Sequence, residues 1–321
     1  MRAVQGSHGL KMQSEPKIPL VVLLGPTAVG KTELSLQIAE TLGGEIVSAD
    51  SRLLYRGMDI GTAKPGWNER KRVPHHLIDV ANPDEIWSLP MYQLAAGKAI
   101  QEIYQRGNLP FLVGGTGQYI WSLVQGWQPP QVAPDPKTRA VLDAWGRKIG
   151  SETLHRQLSS LDPEAAIHIE ANNLRRVLRA LEVIFTTGRK FSEQRRRGDS
   201  PYNSLLIGLT RSRQEIYARV DQRIDQMLAD GWVEEVRDLL NQGFDPQLSA
   251  LSAIGYREIC AYLKGKCTLD EAVKLVKRQT RVFIRRQSNW FKLDDPSIHW
   301  FEMNDAPKTK IMELIRLHFN N

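Results

Sequence analysis

Three observations predict an α/β fold, with a P-loop NTPase-like parallel sheet core, helices on both of its faces and an all-helical insertion domain. Short apolar runs rich in branched residues recur along the chain, each stopped by small or polar residues, as strands buried on both faces do. A glycine loop separates the first run from a helical stripe. After Gly126 prolines cluster, and the strand runs give way to helical patterns.

Residues 1–16 are polar, with Gly and Ser and no apolar stretch, and are expected to be a disordered leader outside the fold. Residues 17–126 read as the first part of the core. Pro19–Gly25 is its first strand, Leu34, Ile38 and Leu42 mark a helix by recurring every four residues, and Glu45–Asp50, His76–Val80 and Leu109–Gly114 are the next strands. Pro129, Pro130, Pro134 and Pro136 stiffen the entry to residues 127–199, the helical insertion. Its last helix puts Leu174, Val177, Leu178, Leu181 and Ile184 on one face. Arg195–Asn203, broken by Gly198 and Pro201, leads back. A helical block hung on two connectors is expected to swing over a substrate. Residues 200–321 complete the core and read as mainly helical. Ser204–Leu209 is a fifth strand, Ile216, Val220, Ile224 and Leu228 form one stripe, and Leu269–Phe291 forms a long helix with Val273, Val276, Phe283 and Trp290 near one side.

The 321 residues suffice for one large domain and a smaller partner. No apolar run approaches the ~18–20 residues that cross a bilayer, so a cytoplasmic protein with no membrane contact is expected, and a monomer. Cys260 and Cys267 are too few for a disulfide framework and lack metal-site spacing, which leaves them as idle thiols. Lys plus Arg number 43 against 36 Asp plus Glu, a net charge of +7 that fits a polyanionic partner.

Gly25-Pro26-Thr27-Ala28-Val29-Gly30-Lys31-Thr32 satisfies G-x-x-x-x-G-K-[ST] between a strand and a helix, where phosphate binding needs it. The glycines let the backbone wrap a phosphate, and the N–H groups opening the helix add donors and a positive dipole end. Lys31 contributes a point charge, and the Thr32 hydroxyl is placed to ligate Mg²⁺. The motif does not say whose phosphates it holds, and ATP or another nucleotide stays open. Asp50 ends the second strand, on the edge where open α/β sheets bind ligands. It reads either as a catalytic group or as a cap on the next turn. Asp79 brings no second motif with it, and His75 and His76 read as structural or surface residues.

Ser48-Ala49-Asp50-Ser51-Arg52-Leu53-Leu54-Tyr55-Arg56-Gly57-Met58-Asp59-Ile60-Gly61-Thr62-Ala63-Lys64-Pro65, taken with the P-loop, closely resembles the tRNA dimethylallyltransferases, also called tRNA isopentenyltransferases or the IPP transferase family. The resemblance continues through Leu112–Gly117, Arg175–Glu182, Ile254–Arg257 and Arg285–Phe291, and covers almost everything from Leu20 to Trp300. It implies that the P-loop holds dimethylallyl diphosphate with Mg²⁺ across the phosphates, and that the acceptor is N6 of the adenosine 3′-adjacent to the anticodon. Gly25, Pro26, Thr27, Ala28, Val29, Gly30, Lys31 and Thr32 are then the donor loop. Asp50 matches the family's catalytic aspartate, Thr116 its substrate-contacting threonine, and Arg139 an arginine just after the proline-rich connector. Asp50, Ser51, Arg52 and Leu53 line the adenosine, which must leave the anticodon-loop stack. Arg213, Arg219 and Arg223 share one helix, and Arg223 is the expected diphosphate ligand, a solvated helix face being its other reading. Leu53 stands where many members carry Gln, so a polar contact of that Gln is missing here, and Gln118 replaces a usual apolar residue. The pattern is the bacterial or plastid type, without the zinc finger of longer members.

Arg175, Arg176 and Arg179 lie opposite the apolar stripe of the insertion's last helix, and Arg189, Lys190, Arg195, Arg196 and Arg197 follow. Lys274, Arg278, Arg281, Arg285 and Lys292 recur along the C-terminal helix as a second basic line. Each reads alone as a solvated face, but two lines flanking a phosphate site fit a clamp on the tRNA anticodon stem-loop. With the resemblance, Arg175, Arg176, Arg179, Gly255, Tyr256, Arg257, Arg285, Arg286 and Gln287 are the expected tRNA contacts. A small-molecule kinase leaves the insertion and basic lines idle. A prenyltransferase of free adenine nucleotides has no use for them either, and an RNA-binding module without catalysis leaves the P-loop and Asp50 unexplained.

Overall fold

A computed structural model describes residues 16–130, 132, 135–194 and 196–319. Except for Pro16, the expected leader lies outside these residues, as do Pro134 and Arg195 of the connectors. In chain order the first elements are β1 (Ile18–Leu24), α1 (Lys31–Leu42), β2 (Gly44–Ala49), α2 (Trp67–Arg72), β3 (His75–His76), α3 (Leu89–Gln105), β4 (Leu109–Gly114) and α4 (Gly117–Val124). A short strand β5 (Trp127–Gln128) leads to α5 (Pro136–Ile149), α6 (Ser151–Leu161), α7 (Pro163–His168), α8 (Leu174–Thr187) and α9 (Phe191–Gln194), and β6 (Arg196–Arg197) leads out. The chain closes with β7 (Tyr202–Thr210), α10 (Arg213–Ala229), α11 (Trp232–Asn241), α12 (Tyr256–Leu263), α13 (Leu269–Ser288), β8 (Ile298–Glu302) and α14 (Lys308–Phe319).

The main sheet has six parallel strands in the order β3-β2-β4-β1-β7-β8. Side chains alternate across a strand, so β1 feeds two cores. Val21 and Leu23 pack with Leu36 and Ile38 of α1 and Ile311 and Ile315 of α14. Leu20, Val22 and Leu24 pack with Tyr92, Ala96 and Ile100 of α3 and Ile120 of α4. Burial on both faces explains why these strands read as unbroken apolar runs. Because β1 sits between β4 and β7, the loop it feeds opens at the middle of the sheet's C-terminal edge.

Three expectations need correction here. The third strand is only His75–His76, since Leu77 and Asp79 adopt left-handed φ of 60° and 57° and turn the chain away. Asp79 is held there by Lys64 at 2.6 Å and Arg70 at 2.7 Å. Besides the expected fifth strand, residues 200–321 carry β8, a sixth strand that pairs Leu206 with Ile298 and lays Trp300 against Gly208. An edge strand with one fully buried residue carries no apolar run for a sequence pattern to detect. On α13 the stripe is also narrower than expected, since Phe283 is 40% exposed and the helix ends at Ser288.

Helices α5 to α8 bury Leu142, Leu154, Leu158, Val177 and Leu181 in a cluster of their own. The two crossings into this block pair with each other. Trp127 and Gln128 of β5 face Arg197 and Arg196 of β6 in an antiparallel ribbon, and Gly198 N donates to Gly126 O at 2.9 Å.

Candidate active site

The P-loop leaves β1 under constraints only particular residues meet. A Cβ on Gly25 would lie 2.7 Å from the Leu209 carbonyl oxygen, and Gly30, the N-cap of α1, has φ 114°. Ala28 takes the left-handed φ of 62° without glycine's freedom. Lys31 Nζ donates to the carbonyls of Gly25 (2.9 Å) and Pro26 (2.8 Å). Burial pushes its pKa down to about 8, with Asp50 opposing the drop and Arg223 adding to it. Lys31, Asp50 and Arg223 thus lie near enough to feel one another's charge. The Thr32 hydroxyl, at the first turn of α1, makes no hydrogen bond among the described residues.

Helix α10 lies across the loop. Arg211, just before it, donates Nε to Val29 O at 2.9 Å and pairs with Glu215, while Arg219 Nε reaches Ala28 O at 2.9 Å. These two hold the loop's outer side through its carbonyls. Arg223, one turn beyond Arg219, has no hydrogen bond or ion pair among the described residues. It is accessible to solvent yet ringed by protein; that crowding and Arg219 lower its pKa, and Asp50 opposes them. Of the arginines expected on this helix, Arg213 is exposed at its start and Arg223 is the one electrostatically linked to Lys31.

Asp50 follows β2 at the same edge of the sheet. One carboxylate oxygen, Oδ1, accepts from Arg52 N at 2.9 Å, a cap on its own turn, while the other makes no hydrogen bond among the described residues. The turn-cap reading of Asp50 thus occupies one oxygen and leaves the other uncommitted. Thr116 Oγ1 accepts from Ser51 N at 3.2 Å and Thr116 N donates to Ala49 O at 3.1 Å, so the ends of β2 and β4 are stitched together. Arg52 donates to Ser249 O (2.9 Å) and Ala250 O (3.3 Å), and its pKa is lowered by burial, with Arg175 of the insertion adding to this. The start of α8 thus lies near enough to Arg52 to affect its charge. Leu53 is half-buried beside them.

Two tyrosines absent from the sequence expectations complete this wall. Tyr119 of α4 stacks on Tyr92 of α3 with ring centroids 3.6 Å apart, and Tyr92 OH donates to Ser48 O at 3.0 Å. Burial raises the Tyr119 pKa, and neighbouring Tyr55 and Asp50 raise it further. Their sequence signal was faint: aromatic residues at buried helix positions look like any core residue.

The expected RNA contacts fall into two groups. Arg175 and Arg176 on α8 and Arg285 and Arg286 on α13 are exposed. The others are occupied. Arg179 pairs with the buried carboxylate of Glu182 at 2.7 Å, and so, at 3.0 Å, does Arg139, the expected catalytic arginine. Arg257 pairs with Glu258 at 2.6 Å, and Tyr256 is buried with its hydroxyl donating to Glu235 Oε1 at 2.6 Å. Gly255 has φ 95°, and a Cβ there would meet the Trp232 ring at 2.0 Å. Gln287 is 5% exposed and faces inward. The second basic line is interrupted too, since Lys274 and Arg281 pair with Asp270 and Asp221, and neighbouring Lys277 pairs with Asp225. Lys274, Lys277, Arg278, Arg281 and Arg285 still line an open groove of about 420 Å³.

A parallel sheet with a P-loop at its central strand, an aspartate at a neighbouring strand end and arginines across the loop defines a phosphate-binding α/β protein of the P-loop class. The IPP transferase family model matches residues 53–294. A tRNA dimethylallyltransferase of Roseiflexus sp. is 51% identical over 86% of this chain and 90% of its own length. One from Geobacter sulfurreducens is 47% identical over 90% and 94%. The crystal structure of the full-length tRNA isopentenylpyrophosphate transferase of Bacillus halodurans matches with a TM-score of 0.71 and 42% identity, covering 94% of this chain and 97% of that one. A eukaryotic dimethylallyltransferase acting on tRNA matches with a TM-score of 0.76 and 26% identity, covering 92% and 77%. The chain belongs to the IPP transferase family.

Proposed function

We propose that this chain is a tRNA dimethylallyltransferase. It moves a dimethylallyl group from dimethylallyl diphosphate to N6 of the adenosine 3′-adjacent to the anticodon, giving N6-isopentenyladenosine and diphosphate. The observation that carries this reading is that Lys31, Arg223 and Asp50 lie near enough to shift one another's charge, with one Asp50 oxygen left without a hydrogen bond among the described residues, in a chain of this family. Two cations suit a diphosphate, and a carboxylate beside them suits a neutral amine that must lose a proton.

In this reading the loop N–H groups, Lys31 and Arg223 bind the diphosphate and stabilise the charge it gains on leaving. The free oxygen of Asp50 accepts a hydrogen bond from the N6 amine and takes its proton as the N6–carbon bond forms and the allylic C–O bond breaks. Thr116 keeps Ser51, and hence the turn bearing Asp50, in place. Ser51, Arg52, Leu53 and the Tyr119 ring wall the flipped adenosine. Arg139 reaches the diphosphate by exchanging Glu182 for it when the insertion swings closed. Arg175, Arg176, Arg285 and Arg286 grip the anticodon stem-loop.

Mg²⁺ fits the donor set, because the Thr32 hydroxyl is uncommitted beside the loop and this ion takes few protein ligands when phosphates and water supply the rest. When bound it neutralises diphosphate charge. The enzyme acts as a monomer in the cytoplasm, and no helix among the described residues is long and apolar enough to cross a membrane.

The test is a label-transfer assay. Labelled dimethylallyl diphosphate is offered with tRNA, with AMP and alone, beside labelled ATP, with and without Mg²⁺. Label in tRNA alone, dependent on Mg²⁺, is expected. Label in AMP with none in tRNA, or ATP turnover without prenyl transfer, rejects the reading.

A further inference from the structure

Gln287 lies on the helix that presents Arg285 and Arg286 to solvent, yet points the opposite way, with Ile284 one turn before it on the buried side. Its carboxamide is used at both ends. Oε1 accepts from Thr27 N at 3.0 Å, inside the P-loop, and Nε2 donates to Gly115 O at 3.1 Å, just after β4. We propose that Gln287 is a positioning residue of the donor loop, which it shapes by fixing the Pro26–Thr27 peptide.

The peptide unit is planar, with its N–H and C=O pointing in opposite directions. Holding Thr27 N–H toward α13 therefore turns the Pro26 carbonyl the other way, to where Lys31 Nζ meets it at 2.8 Å. One side chain thus sets both a loop peptide and the seat of the phosphate-binding lysine. Pro26 has no N–H of its own, so Thr27 offers the first amide after Gly25 by which this end of the loop can be held.

A carboxamide is required, since it accepts and donates at once. A carboxylate only accepts, and a thioether does neither usefully. The surroundings are built to hold it. A Cβ on Gly115 would lie 2.4 Å from Gln287 Nε2, and one on Gly117 would lie 2.3 Å from the Trp290 ring. Trp121 Nε1 donates to Trp290 O at 3.0 Å, which pins this end of the helix against α4. The residue expected on the RNA surface instead ties the RNA-bearing helix to the donor loop.

The inference rests on the prenyl-diphosphate reading, and the experiment separates the two. Full-length Gln287→Met and Gln287→Asn are compared with wild type for kcat, for KM toward dimethylallyl diphosphate and toward tRNA, and for thermal midpoint. Ile284→Ala serves as the control, because it loosens the same helix without touching the loop. Donor KM is expected to rise about tenfold in both Gln287 variants, the equivalent of one lost hydrogen bond. KM for tRNA stays within about twofold, and Ile284→Ala leaves donor KM unchanged despite a lower midpoint. Should the Met variant fail to fold, the Asn variant decides. Donor KM unchanged in the Gln287 variants, or raised equally by Ile284→Ala, overturns the positioning role while wild-type transfer preserves the functional reading. A wild-type protein that binds no prenyl diphosphate overturns both.

Discussion

Among the described residues Lys31 Nζ donates to backbone carbonyls alone, and its lowered pKa makes donor binding depend on pH. Burial favours the neutral amine, so in the free protein Lys31 loses its proton near pH 8. A diphosphate favours the ammonium, so binding above that pH must take up a proton. Donor kcat/KM should hold steady below pH 8 and fall above it, by up to about tenfold per pH unit. Lys31→Arg, charged throughout, should abolish this fall. An unchanged slope would assign it to another group. Asp50 is separable in a different way, because its two oxygens have different duties. Asp50→Asn keeps the Oδ1 acceptor for Arg52 N but cannot take a proton. It should keep the wild-type thermal midpoint and donor affinity and lose about 10²–10⁴-fold in transfer rate. Near-normal turnover in that variant would reduce Asp50 to a turn cap.

The insertion's last helix shows how one buried charge organises a segment. Glu182 on α8 is fully buried, and it accepts from Arg139, Arg179 and the Asp135 backbone N–H. It thereby joins α8 to the start of α5 where the chain enters the block. Glu182→Gln leaves two arginines that can still reach water, so its cost should be about 1–3 kcal/mol. Arg179→Met leaves a buried carboxylate with one arginine and should cost at least as much. Urea denaturation compares the two, and a larger loss in Glu182→Gln would show that the carboxylate's burial is relieved elsewhere. None of this was legible in the sequence. Arg139 and Arg179 announced themselves by charge, but the acid that engages both sits 43 and three residues away, respectively. The P-loop, β2 and β4 were readable because strands buried on both faces need apolar runs, and because phosphate binding fixes a glycine spacing. Strand β8 was not, because an edge strand needs no such run. Gln287 was misplaced because a polar residue directly after two arginines looks exposed until the helix phase is known.

Two exposed arginine pairs on separate elements, Arg175 and Arg176 of α8 and Arg285 and Arg286 of α13, lend the proposed RNA grip a testable geometry. An RNA backbone held by such charges releases counterions, and the log–log slope of affinity against salt steepens by about 0.7 per phosphate contacted on a single strand. Arg176→Ala and Arg285→Ala should each flatten that slope by roughly one such contact and leave donor binding alone, since neither side chain is linked to the loop. Arg281 supplies the internal comparison. It lies on the same helix, one turn before Arg285, but its guanidinium already pairs with Asp221 at 2.5 Å. A neutralised charge displaces few counterions, so Arg281→Ala should change the slope by less than half as much as Arg285→Ala. Fluorescence titration of an anticodon stem-loop across a salt series measures all three. Equal effects of Arg281 and Arg285 would mean that bound RNA breaks the Asp221 pair and recruits the whole basic groove of α13. A salt response unchanged in all three variants would remove both helices from the RNA grip, even with prenyl transfer to tRNA established.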